Sequence, residues 1–147
     1  MITRGTTAPA VPGVDLTSGT RALFFYKVTC PVCEMVAPLS ERLEAAYPGT
    51  VAGIGQDPEE RLGDFAGRFA WSFPSTPDLP PYDVSEAFGI RVVPTVVLVQ
   101  NDTVDDVVES WDRDGWNRLA SRLADLTGRS PVAISQEGDG LPSFRPG

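Results

Sequence analysis

Apolar residues along this chain come in two patterns: short dense runs, and longer stretches in which they recur every three or four positions. Arg21 to Lys27 (RALFFYK) is a dense, aromatic-rich run and predicts a buried central strand. From Pro31 to Tyr47 the spacing becomes helical, with Val36, Leu39, Leu43, Ala46 and Tyr47 on one side, and Pro48-Gly49 ends it. Thr50 to Gly55 (TVAGIG) predicts a second strand of low bulk. Asp57-Pro58-Glu59-Glu60 reads as a helix start, with Asp57 as cap, Pro58 in the first turn and two Glu at the positive helix end. Leu62, Phe65, Ala66 and Phe69 then give that helix an apolar side.

Trp71 to Tyr82 is broken by four prolines and predicts a loop, with a short strand at Ser72-Phe73. A short helix over Val84 to Phe88 ends at Gly89. The β-branched run Thr95 to Gln100 (TVVLVQ), the turn residues Asn101-Asp102 and Val104 to Ser110 predict a hairpin. A last helix follows Asp112 or Asp114, with Trp116, Leu119, Ala120, Leu123 and Leu126 as its apolar face and Gly128 as its close. Strands alternating with helices, closed by a hairpin and a helix, predict an α/β domain: a central mixed β-sheet with helices on both faces. The domain spans residues 1–128. Residues 129–147 lose periodicity and form a C-terminal tail, either disordered or packed across the domain.

Composition narrows the function classes. With 147 residues, 41% hydrophobic and 22% charged, the chain suits one ordinary domain, and no apolar run approaches the ~20 residues of a membrane span. The first thirteen residues lack the apolar core of a secretory leader, so the expected location is cytoplasmic. A net charge of −8 disfavours nucleic acid and anionic membrane as partners. There is no histidine, which removes His-dependent hydrolytic catalysis and every His-ligated metal site.

The two cysteines, Cys30 and Cys33, stand three apart where the apolar strand meets the helix. A disulfide between them closes almost no loop and stabilises little, so chemistry explains the pair better than architecture. At a helix N-terminus the unpaired N–H groups and the macrodipole favour a thiolate at Cys30. Cys30 is then the nucleophile, and Cys33, one turn on, resolves the mixed disulfide. Half of a zinc site and two ordinary core cysteines are the alternatives; tetrahedral zinc would need further ligands that a chain without histidine supplies poorly, and no metal is expected.

The segment Phe24 to Pro38 (FFYKVTCPVCEMVAP) resembles the active-site segment of the thioredoxin superfamily, including a proline five residues after the second cysteine. Val93-Pro94-Thr95, before the hairpin, is similar to that family's cis-proline loop. The resemblance implies a thioredoxin-like fold, a cis Pro94, and a docking role for Val93 and Pro94, with Thr29 beside Cys30 also bearing on substrate. Ala8-Pro9 and Asp15-Leu16, with the extra strand–helix stretch after Gln56-Asp57, resemble the TlpA-like and peroxiredoxin-like branch.

Departures from the family pattern set limits. The P-x-x-x-T-x-x-C signature of peroxiredoxins is absent around both cysteines. Thr29 replaces the usual Trp before the first cysteine, and Phe24 stands where thioredoxins carry a buried Asp. Glu34 is therefore a candidate proton carrier for Cys33. Tyr26 and Trp71 are read first as core, and as groove residues second.

The expected function is thiol–disulfide exchange by the C-P-V-C pair on protein or small-molecule disulfides, fed by a thiol reductant the sequence does not identify. No cofactor is implied beyond the redox-active Cys30–Cys33 disulfide. A peroxiredoxin-like thiol peroxidase and a non-catalytic thioredoxin-fold binding module are the alternatives.

Overall fold

The aromatic run near the N-terminus forms the central strand of a five-stranded sheet in the computed structural model, which describes residues 1–147. In chain order the elements are β1 (Thr20–Tyr26), α1 (Pro31–Ala46), β2 (Val51–Gly55), α2 (Glu59–Arg68), β3 (Ser75–Pro77), α3 (Asp83–Ala87), β4 (Thr95–Gln100), β5 (Thr103–Glu109), β6 (Trp111–Asp112), α4 (Arg113–Thr127) and β7 (Phe144–Arg145). The sheet order is β3-β2-β1-β4-β5. Helical crossovers make β1, β2 and β3 parallel, while β4 runs antiparallel to both β1 and β5. The β4–β5 hairpin turns on Asn101 (φ 45°) and Asp102 (φ 68°), two residue types that tolerate the left-handed region such a tight turn requires.

Alternation along β1 divides its side chains between two cores. Ala22, Phe24 and Tyr26 face one layer, packed with Val36 and Leu43 of α1, Leu62 and Phe65 of α2, and Trp116 and Leu119 of α4. Leu23 and Phe25 face the other, formed by Val84 of α3, Phe88, and Ala8, Val11 and Leu16 from the N-terminal segment. The sheet is mixed and carries helices on both faces. The low bulk of β2 also has a cause. A Cβ on Gly55 would collide with Leu62 and lie 2.9 Å from the Tyr26 ring, so glycine is what lets α2 and Tyr26 close over the strand.

Two local expectations are corrected. The short strand expected at Ser72-Phe73 lies instead at Ser75–Pro77, because Phe73 turns inward onto Trp71 (ring centroids 4.4 Å). Asp57 does not cap α2. Pro58 holds the cap position, and the buried Asp57 carboxylate accepts the Val28 N–H at 2.9 Å. Of the two alternatives for the tail, the structure has the packed one. It runs back over the domain, buries Ile134 completely and pairs β7 with β6.

Candidate active site

Cys30 is the N-cap of α1, in extended conformation (φ −89°, ψ 117°), and its sulfur accepts the Cys33 N–H at 3.2 Å. A sulfur thereby does what a Ser or Asp oxygen does at most helix starts. Pro31, at the first helical position, has the ring-set φ that a helix needs and no N–H to leave unpaired.

The two thiols differ sharply. Cys30 is half-buried, and its pKa is lowered to about 6, chiefly by the Cys33 side chain donating to it. The backbone N–H groups of Cys33 and Val32 and the charge of Arg145 act in the same direction, against partial burial. Cys33 is fully buried, and its pKa is pushed up, first by loss of water and then by its donation to Cys30. A backbone N–H from Lys27 opposes that rise. At neutral pH the pair is one accessible thiolate and one protonated thiol.

Opposite them lies the loop before β4. The Val93–Pro94 peptide is cis, Pro94 is buried, and the Val93 carbonyl oxygen lies 3.5 Å from Cys30 Sγ, where it accepts the S–H when Cys30 is protonated. The loop is tied at both ends: the Pro94 carbonyl accepts the Ser110 N–H at 2.8 Å, and Thr95 Oγ1 donates to the Val92 carbonyl at 2.7 Å. The structure thus brings Cys30, Cys33, Val93 and Pro94 together. Thr29 is exposed on the loop just before Cys30. Glu34 is ion-paired at the surface with Arg68 of α2 (3.5 Å), whereas the Cys33 thiol is buried.

Tyr26 and Trp71 belong to an aromatic stack behind the pair. Tyr26 stacks on Phe24 (5.3 Å), and Trp71 meets both edge-on while its indole donates to the Ala37 carbonyl at 2.9 Å. The Tyr26 hydroxyl shares a hydrogen bond with Ser75 Oγ (2.6 Å), and burial raises its pKa to about 12. The charges of Asp57 and Cys33 both add to that rise.

One contributor escapes sequence reasoning: Arg145 lies in a tail with no periodicity, which leaves no signal that points to the cysteines.

No family model matches the chain, and no curated protein matches it. Among solved structures, the fold is thioredoxin-like. The thiol:disulfide interchange protein DsbE from Chlorobium tepidum superposes with a TM-score of 0.75 at 20% identity, over 87% of this chain and 100% of that one. Two Mycobacterium tuberculosis proteins each superpose with a TM-score of 0.65 over 76% of this chain and 84% of theirs. One is DsbF, at 25% identity, and the other is a secreted disulfide oxidoreductase homologous to Escherichia coli DsbE, at 21%. The chain therefore has a thioredoxin-like fold, and its structural neighbours include thiol–disulfide oxidoreductases of the branch its sequence resembles.

Proposed function

We propose that the protein is a dithiol–disulfide oxidoreductase acting through Cys30 and Cys33. The Cys30 thiolate attacks one sulfur of a substrate disulfide. A Cys30–substrate S–S bond forms, the substrate S–S bond breaks, and the other substrate sulfur leaves as a thiolate that takes a proton. Cys33 then gives up its proton and attacks Cys30 Sγ. The second substrate thiol is released, the protein is left with a Cys30–Cys33 disulfide, and two electrons have passed to the substrate. The same steps reversed oxidise a dithiol. Val93 and Pro94 border the reacting sulfur, and the proton leaving Cys33 passes to solvent water.

The observation that carries this reading is the asymmetry of the pair: a half-exposed sulfur capped as a thiolate against a buried thiol one turn away. Its test is reduction of insulin with dithiothreitol as electron donor. Wild type should accelerate precipitation of the insulin chains, and Cys30→Ser should not; equal rates for the two, with insulin and with 2-hydroxyethyl disulfide alike, would overturn the reading.

Direction of flow follows from the potential. In a reducing compartment the protein should act as a reductant. A titration of Cys30–Cys33 near about −270 mV would agree with that, and one near about −120 mV would make it an oxidant. The substrates are disulfides, of proteins or small molecules, and a separate thiol supplies electrons in the reducing direction.

A further inference from the structure

The tail after α4 returns to the cysteine pair, and the way it is held divides it in two. Residues 130–143 are fastened along their length. The Tyr47 hydroxyl donates to the Ser130 carbonyl and accepts the Val132 N–H (3.3 and 3.0 Å). Ile134 is fully buried, and Asn117 Oδ1 accepts the N–H groups of Ile134 and Ser135 (2.8 and 3.2 Å). Arg113 donates to the Leu141 carbonyl (2.8 Å) and pairs with Asp139, the Trp111 indole donates to the Pro142 carbonyl (2.6 Å), and the Arg113 N–H reaches the Ser143 carbonyl (2.9 Å).

Beyond Ser143 the attachments thin out. Phe144 and Arg145 pair with the two residues of β6, Phe144 is 56% exposed, and the Gly147 N–H donates to Ser110 Oγ at 3.0 Å. Arg145 reaches across toward α1, with Nη1 4.0 Å from Met35 Sδ. The segment therefore bridges β6 and the active-site helix over the mouth of the site.

What it covers is specific. A Cβ built on Gly147 would collide with the Val93 carbonyl oxygen, lie 2.9 Å from its carbonyl carbon and 3.4 Å from Pro94 Cδ. The strap backbone thus already fills the space facing Val93. That carbonyl is the one 3.5 Å from Cys30 Sγ. A peptide carrying a disulfide to Cys30 would have to run beside Val93 at about the 4.7–4.9 Å spacing of paired strands, where Gly147 now lies. A small disulfide needs only the half-exposed sulfur.

We propose that Phe144–Gly147 is a specificity strap: in place, it admits small disulfides to Cys30 and excludes polypeptide disulfides, which react only when it is displaced. This rests on the dithiol exchange proposed above. The charge that Arg145 places near Cys30 makes the strap part of the site and not a loose end, since it favours the thiolate that a small disulfide meets.

The test compares the full chain with one ending at Ser143, which keeps every anchor of residues 130–143. Rates are measured at pH 8 with insulin and with 2-hydroxyethyl disulfide. Minor open states are populated at about 0.1–10%, so removing the strap should raise the insulin rate about tenfold or more. The 2-hydroxyethyl disulfide rate should stay of the same order. An insulin rate that does not rise, with small-disulfide exchange intact, overturns the strap and leaves the dithiol reading standing. Exchange with neither substrate in either chain removes both.

A second measurement uses the full chain and decides the matter if the shortened one fails to fold. Cys33→Ser is trapped as a mixed disulfide with a cysteine-containing peptide or with 2-mercaptoethanol, and amide hydrogen exchange is followed over residues 143–147. Protection should be lost in the peptide adduct and kept in the small one. Unchanged protection in the peptide adduct overturns the proposal.

Discussion

Cys30 and Cys33 carry the same side chain one helical turn apart, yet hydrogen bonding and burial push their thiols in opposite directions. Cys30, lowered to about 6, should be alkylated by iodoacetamide with a rate that rises through an inflection near that pH, well below the roughly 8.5 of a free cysteine. An inflection near 8.5 would show that the cap does not hold a thiolate. The same shift ties stability of the reduced protein to pH. Because the folded pKa is depressed, the thiolate's stabilising contribution is complete above the unfolded value and is lost as pH falls through about 6. Urea unfolding of the reduced protein should therefore show stability rising between pH 6 and about 8, above which the raised Cys33 thiol opposes the gain.

At the level of elements, what could be read in the sequence was whatever repeats. β1, α1, the β4–β5 hairpin and α4 announce themselves through dense runs, helical spacing and turn residues, and the C-P-V-C pair at a strand–helix junction marks the redox centre. Elements placed by contacts from elsewhere were not legible. Ser72-Phe73 has the look of a strand, but Phe73 is drawn into the aromatic stack around Trp71 and pairing begins later. Asp57 has the look of a cap, but a loop N–H from Val28 claims its carboxylate. Val93 and Pro94 could be found only through resemblance to a family, since an X-Pro before a strand is common. The glycines of β2 show how such contacts act back on an element. Gly55→Val would force a side chain between Leu62 and Tyr26, and overpacking of this kind costs about 1–3 kcal/mol. The variant should unfold at lower urea while the alkylation profile of Cys30 is unaltered.

For the whole molecule, the tail couples stability to access at the site through two separable stretches. Ile134 is fully buried in the same core as Cys33, Trp111 and Trp116, and its backbone is held from both sides, by Asn117 and by Arg42, which donates to its carbonyl at 2.6 Å. Ile134→Ala should therefore cost about 2–5 kcal/mol, the range for emptying a buried aliphatic site. Phe144–Gly147 buries little and is held mainly by two paired residues, so ending the chain at Ser143 should change stability by no more than about 0.5 kcal/mol. Urea unfolding of the three proteins gives both quantities. If the chain ending at Ser143 were as unstable as Ile134→Ala, the last four residues would be structural and a gain in insulin reduction would reflect a loosened fold. If it keeps full stability while Ile134→Ala does not, the fastening lies in residues 130–143, and Phe144–Gly147 is free to respond to what approaches Cys30.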